Sequence, residues 1–140
     1  MTRERIAHHE AGHAVIVLVL GYTLKDVTIK PDERAEGRTN YVKDGGLVVD
    51  GIKIILAGPI AEGLIDGNLR LKTDGSGSDW RHIRKWYPEF GAQDVRKIGE
   101  ETKLLVLCRR EAIERVAEAL LAHETLTGDD TKRLMMEARP

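Results

Sequence analysis

Cysteine is almost absent: Cys108 is the one thiol in 140 residues. This excludes an internal disulfide framework and any zinc ribbon built on paired cysteines. It also fits a reducing, cytoplasmic setting. Long apolar runs are missing as well. The longest, Ala14 to Leu20, is seven residues, against the ~20 of a spanning helix, so no membrane span is expected and no secretory leader is read. Charge of one sign is missing too. Lys and Arg number 22 and Asp and Glu 23, for a formal net charge of −1. That excludes the broad basic excess of a general nucleic-acid binder. Aromatic residues are only 4%, yet hydrophobic residues reach 41% and charged residues 32%, a globular composition and not a disordered one. There is no internal repeat, low-complexity tract or linker, so residues 1–140 read as one domain. A chain of this length buries roughly 68% of its unfolded surface without staples.

The pattern of elements is mostly helical. Thr2 to Leu20 lacks proline and ends at Gly21, and its second half is apolar all round, as in a core helix. Lys25 to Lys30 alternates polar and apolar, Pro31 to Gly37 is turn-like, and Arg38 to Val42 returns, predicting a two-stranded ribbon. Leu47 to Ile65 is helical again, with Pro59 placed to kink or divide it. Asp66 to Ser78 is a loop by composition, long enough to suggest a function. Ser78 can cap a short helix from Asp79 to about Trp86, stopped before Pro88. Gln93 to His123 predicts one long helix, or two with a break near Cys108. Ile113, Val116, Ala117, Leu120 and Leu121 form its apolar stripe. Thr127 to Asp130 resembles a capping box opening a last helix to about Ala138.

The chemistry concentrates at His9-Glu10-Ala11-Gly12-His13. Histidines at i and i+4 project from one helix face, a turn apart, and two imidazoles so placed suit one zinc ion. Glu10, beside the first of them, can take the proton of a water that zinc acidifies, while zinc polarises a scissile carbonyl. Ala11 and Gly12 are small and would leave room near the metal. From composition alone such a motif arises by accident in about 2% of chains like this one, and its helical context is the one it needs. The bland alternative is two exposed histidines near the start of the chain. A catalytic zinc site uses three protein ligands and one open position. Asp79, His82, Glu62 and His123 are the candidates for the third, and spacing alone does not choose among them. Asp79 would otherwise be a helix-start charge favoured by the dipole, and His82 a surface histidine.

Several segments, in order and spanning nearly the whole chain, resemble the peptidase domain of FtsH, a membrane-anchored AAA+ zinc protease. Glu4-Arg-Ile-Ala-His-His-Glu-Ala-Gly-His-Ala14 is similar to its zinc helix. Val27-Thr-Ile29 and Gly37-Arg-Thr39 resemble the strand and turn that follow. Leu56-Ala-Gly-Pro-Ile-Ala-Glu62 is similar to its AGRxAEE helix, Gly77-Ser-Asp79 to the stretch with its aspartate ligand, and Val116 to Gly128 to its C-terminal signature. The resemblance implies His9, His13 and Asp79 as zinc ligands and Glu10 as general base. It implies a mainly α fold, a helical array with the small two-stranded β-ribbon, and proteolysis of unfolded chains. It also implies a substrate strand adding to an edge strand beside the zinc, which places that edge at Val27 to Ile29.

The chain departs from the family pattern as well. Pro59 stands in place of the arginine of AGR and Gly63 in place of its second glutamate. The stretch from Asp79 to the long helix is shorter. No G-x-x-x-x-G-K-[ST] phosphate loop occurs, and no membrane anchor is read. Trp80, Trp86 and Tyr87 follow Asp79 and suit either a substrate cleft or, more commonly, packing. Cys108 reads as a buried structural thiol. The expectation is therefore an ATP-independent zinc metalloendopeptidase acting on flexible or unfolded polypeptide. The alternative is a zinc-containing binding or scaffold domain without cleavage, working with a separate ATPase. A homo-oligomer is left open. The residue that stabilises the oxyanion is unassigned, with His82 as the guess from spacing.

Overall fold

The computed structural model describes residues 1–67 and 83–138. Helix α1 runs Arg3–Val19, strands β1 and β2 run Thr23–Thr28 and Arg38–Val42, and α2 runs Val48–Asp66. Residues 83–86 are helical. Then come α3 (Ala92–Cys108), α4 (Arg110–His123), strand β3 (Thr125–Thr127) and α5 (Gly128–Glu137).

Thr2 starts α1 by accepting the Arg5 N–H on Oγ1 at 3.2 Å, one of the donors a helix start otherwise leaves unpaired. Ala7, Ala11 and Ala14 to Val17 are buried, so α1 is the central helix. It packs chiefly against α2 and α4. Its crossing with α2 is close because Gly12 has no side chain. A Cβ there would stand 2.5 Å from the Ala61 Cβ and 2.6 Å from the Ala57 carbonyl oxygen. The small residue at position 12 thus serves the helix crossing, where the sequence suggested room near a metal. Pro59 does not divide α2, which is one helix and ends on Gly67 at φ +70°, a conformation glycine takes without steric cost. The expected break in the long helix falls at Arg109. Ile113, Val116, Ala117 and Leu120 are buried as expected, whereas Leu121 is partly exposed.

Two expectations fail. The ribbon has a third strand, giving an antiparallel sheet of order β2-β1-β3. β1 pairs Val27 with Thr39 of β2 and with Leu126 of β3, and beyond it the Ile29 N–H donates to the Glu124 carbonyl. Val27 to Ile29 is therefore central, and no free edge remains there for a substrate. Among the described residues β2 and β3 are the edges. Cys108 is exposed: the buried positions described for α3 are Val95, Ile98, Gly99, Thr102 and Val106, and position 108 falls on the other side of that stripe.

Candidate metal centre

The motif falls within α1, far from either fraying end. His9 and His13 face α2, and Glu10 faces β2. The His9 Nδ1–H donates to Glu62 Oε2 at 2.7 Å, and the His13 Nδ1–H donates to the Ile54 carbonyl at 2.6 Å. In a neutral imidazole this puts the lone pair on Nε2. The rings meet edge to face, with centroids 4.6 Å apart at 82°. Both Nε2 atoms lie close to Gly58: a Cβ on that glycine would lie 2.5 Å from His13 Nε2 and 2.8 Å from His9 Nε2. Two imidazole nitrogens bracketing one point, each ring fixed from behind by an acceptor on Nδ1, are a donor set that fits a zinc ion.

The support behind His9 is ionic. Glu62 lies between His9 and Arg5, whose Nη1 is 3.8 Å from Glu62 Oε1. Arg5 in turn pairs with Asp66. Glu62 thus orients a ring from the Nδ1 side; its carboxylate does not turn toward the Nε2 atoms as a ligand would.

Glu10 is 7% exposed. Its Oε1 accepts the Thr39 hydroxyl at 2.9 Å, which pins the carboxylate against β2. Burial pushes its pKa above the ordinary carboxylate value, while His9 and the Thr39 hydrogen bond pull the other way. Gly37 allows this approach, since a Cβ there would stand 2.9 Å from the Glu10 Cγ. Glu10 and His13 open on a cleft of about 570 Å³, walled by β2, by Ile54 and Ile55 of α2, and by Trp86 and Tyr87. This size suits a ligand of several residues' side chains. Trp86 is 62% exposed, so the aromatic pair lines the cleft.

The structure brings His9, Glu10 and His13 together and adds Glu62 as a support. His123 ends α4 and lines a separate groove with β3 and α5. Asp79, His82 and Trp80 lie outside the described residues. Among the described residues no third His, Cys, Asp or Glu completes a metal-binding group. Thr39, Gly58 and the Ile54 carbonyl escaped the sequence reading. Each acts through a contact far along the chain, and only the glycine of Leu56-Ala-Gly-Pro carried any local signal.

No family model matches this sequence. Curated proteins do. The ATP-dependent zinc metalloprotease FtsH of Thermus thermophilus is 31% identical over 95% of this chain and 29% of its own length. That of Acidimicrobium ferrooxidans is 30% identical over 97% of the chain and 28% of its own. The chain is related to the FtsH zinc metalloproteases. The mitochondrial inner membrane m-AAA protease component yta12 of Schizosaccharomyces pombe is 25% identical over 95% of the chain and 23% of its length. The chain thus spans less than a third of these FtsH relatives. The alignment to the T. thermophilus FtsH is 183 residues long, against the 140 of this chain. That FtsH therefore carries more than forty residues, within the matched region, that this chain lacks. No helix among the described residues is long and apolar enough to cross a membrane.

Proposed function

We propose that this domain is a zinc metalloendopeptidase that hydrolyses peptide bonds in flexible polypeptide segments. The convergence of the His9 and His13 Nε2 atoms over Gly58, with the buried Glu10 carboxylate alongside at the head of a cleft, carries this reading. His9 and His13 would hold the metal, with Asp79 as third ligand on the strength of the FtsH resemblance of Gly77-Ser-Asp79. Zinc, when bound, supplies Lewis acidity to water and to the scissile carbonyl. Glu10 accepts the proton of the attacking water and returns it to the departing amine nitrogen. Its bond to Thr39 favours this cycle, because the carboxylate is already held in place and costs no reordering.

The substrate enters as an extended segment along β2. The sheet order supports β2 for this role, because β1 is paired on both sides and β2 contributes Arg38, Thr39 and Tyr41 to the cleft. Strand addition there would use main-chain hydrogen bonds and so accept varied sequences. Hydrolysis by these groups needs no nucleotide, and no phosphate loop occurs in the 140 residues. Segments already unfolded, or delivered by an ATPase, are therefore the substrates.

The test compares wild type with Glu10→Gln on a quenched-fluorescence peptide, with zinc measured in both. The wild type is expected to cleave, and the variant to retain zinc and lose about 10²–10⁴-fold in rate. A zinc-loaded wild type that cleaves no flexible peptide would contradict hydrolysis and favour a domain that holds peptides without cutting them.

A further inference from the structure

We propose that Arg38 is a carboxylate-binding residue of the cleft. It would select peptide segments that carry an acidic side chain, or a free C-terminus, near the bond to be cut. This rests on the reading of the cleft as a peptide site.

Arg38 opens β2 and lines the cleft with Glu10 and His13. Among the described residues lining it, Arg38 is the one permanent cation. Its guanidinium is anchored on one side only. Nη2 donates to Asp32 Oδ2 at 2.6 Å. Asp32 is itself fixed, because its Oδ1 accepts the N–H groups of Arg34 at 2.7 Å and Ala35 at 2.9 Å. The anchor holds the guanidinium at the mouth of the cleft without using up its donors. Nε is shut off from water, and it is the one buried side-chain nitrogen or oxygen among the described residues without a hydrogen-bond partner. Buried N–H groups in folded proteins nearly always find an acceptor. The side chain as a whole is 40% exposed, so a ligand can reach it.

A planar fork of five donors with one of its bonds made is complementary to a carboxylate, which accepts two parallel N–H bonds. A carboxylate reaching the exposed part of the guanidinium would meet donors that Asp32 leaves untaken. A second cation stands beside one of the lining residues. Lys85 Nζ lies 5.5 Å from the ring centroid of Trp86, which lines the same cleft. Glu10 is the one carboxylate among the lining residues described, and it is engaged by Thr39. The competing role for Arg38 is to tie the turn at Asp32 to β2, which would leave peptide selection untouched.

The experiment measures affinity, so it does not depend on turnover. Zinc-loaded chain carrying Glu10→Gln is titrated, by fluorescence anisotropy, against four labelled decapeptides. They bear a central Glu or Gln, each with a free or an amidated C-terminus. Binding five- to tenfold tighter for the Glu peptides, whatever the terminus, assigns the carboxylate to a side chain. The same advantage for free termini assigns it to the chain end. In either case the advantage disappears in Arg38→Gln and returns in part in Arg38→Lys. Equal affinities for all four peptides overturn the proposal, even if the wild type cleaves every one of them and the peptidase reading stands. A discrimination that persists in a folded Arg38→Gln also overturns it. If no peptide binds, the proposal fails, and cleavage by the wild type then decides separately whether the peptidase reading falls with it.

Discussion

Gly58 is the residue on which the two histidines depend most narrowly. Any Cβ there would stand within 2.8 Å of both Nε2 atoms. Gly58→Ala is therefore expected to abolish zinc binding, because the rings must turn aside. Alanine's helix advantage over glycine, about 1 kcal/mol, is set against the Nδ1 hydrogen bonds the rings give up, so the metal-free variant is expected to melt within a few degrees of metal-free wild type. Zinc content with a melting curve checks both halves. Glu62 acts at one remove, through the His9 Nδ1–H. Glu62→Ala should lower zinc affinity by roughly 10–100-fold, read by competition with a chromogenic chelator. It should leave the affinity finite, since His9 and His13 remain.

At the scale of elements, the α1–α2 crossing places His9 and His13 over Gly58. Gly12→Ala brings a Cβ within 2.6 Å of backbone and side-chain atoms of α2, none of them the end of a flexible chain. The helices must part, at about 1–3 kcal/mol. The urea midpoint is expected to fall, and zinc affinity with it. Much at this scale was legible beforehand. The motif helix, the strand Arg38–Val42 and the break before α4 follow from local pattern. What local pattern does not show is which strand lies in the middle. β3 is three residues, Thr125–Thr127, hidden against the cap of α5. Its pairing converts Val27 to Ile29 from an edge into a centre. Cys108 departs from expectation for a related reason. Its apolar neighbours Leu104 and Leu107 are themselves exposed, so the apolar run did not mark the buried face. The candidate site divides in the same way. His9, Glu10 and His13 stand together in sequence, whereas Thr39, Glu62 and the Ile54 carbonyl reach them across 29 to 53 residues. Asp79 and His82 lie outside the described residues and rest on resemblance and spacing.

For the whole molecule, the cleft is where α1, α2, β2 and the segment Trp86–Tyr87 meet. A metal held there is bound by the folded chain and not by an organised site in the unfolded one. Free zinc at a hundredfold excess over its dissociation constant would add about 2.7 kcal/mol. Chelation is accordingly expected to lower the melting temperature by several degrees in wild type and not in Gly58→Ala. A chain whose melting ignores both zinc and chelator would place the metal elsewhere or nowhere. The chain spans less than a third of its FtsH relatives, and the zinc site is the part of their chemistry that its own residues can hold. Zinc per chain, by elemental analysis of purified wild type, His13→Ala and Asp79→Ala, tests that site most directly. About one zinc is expected in wild type, with a clear loss in both variants. Wild type that takes up no zinc, or variants that keep it in full, would contradict the site.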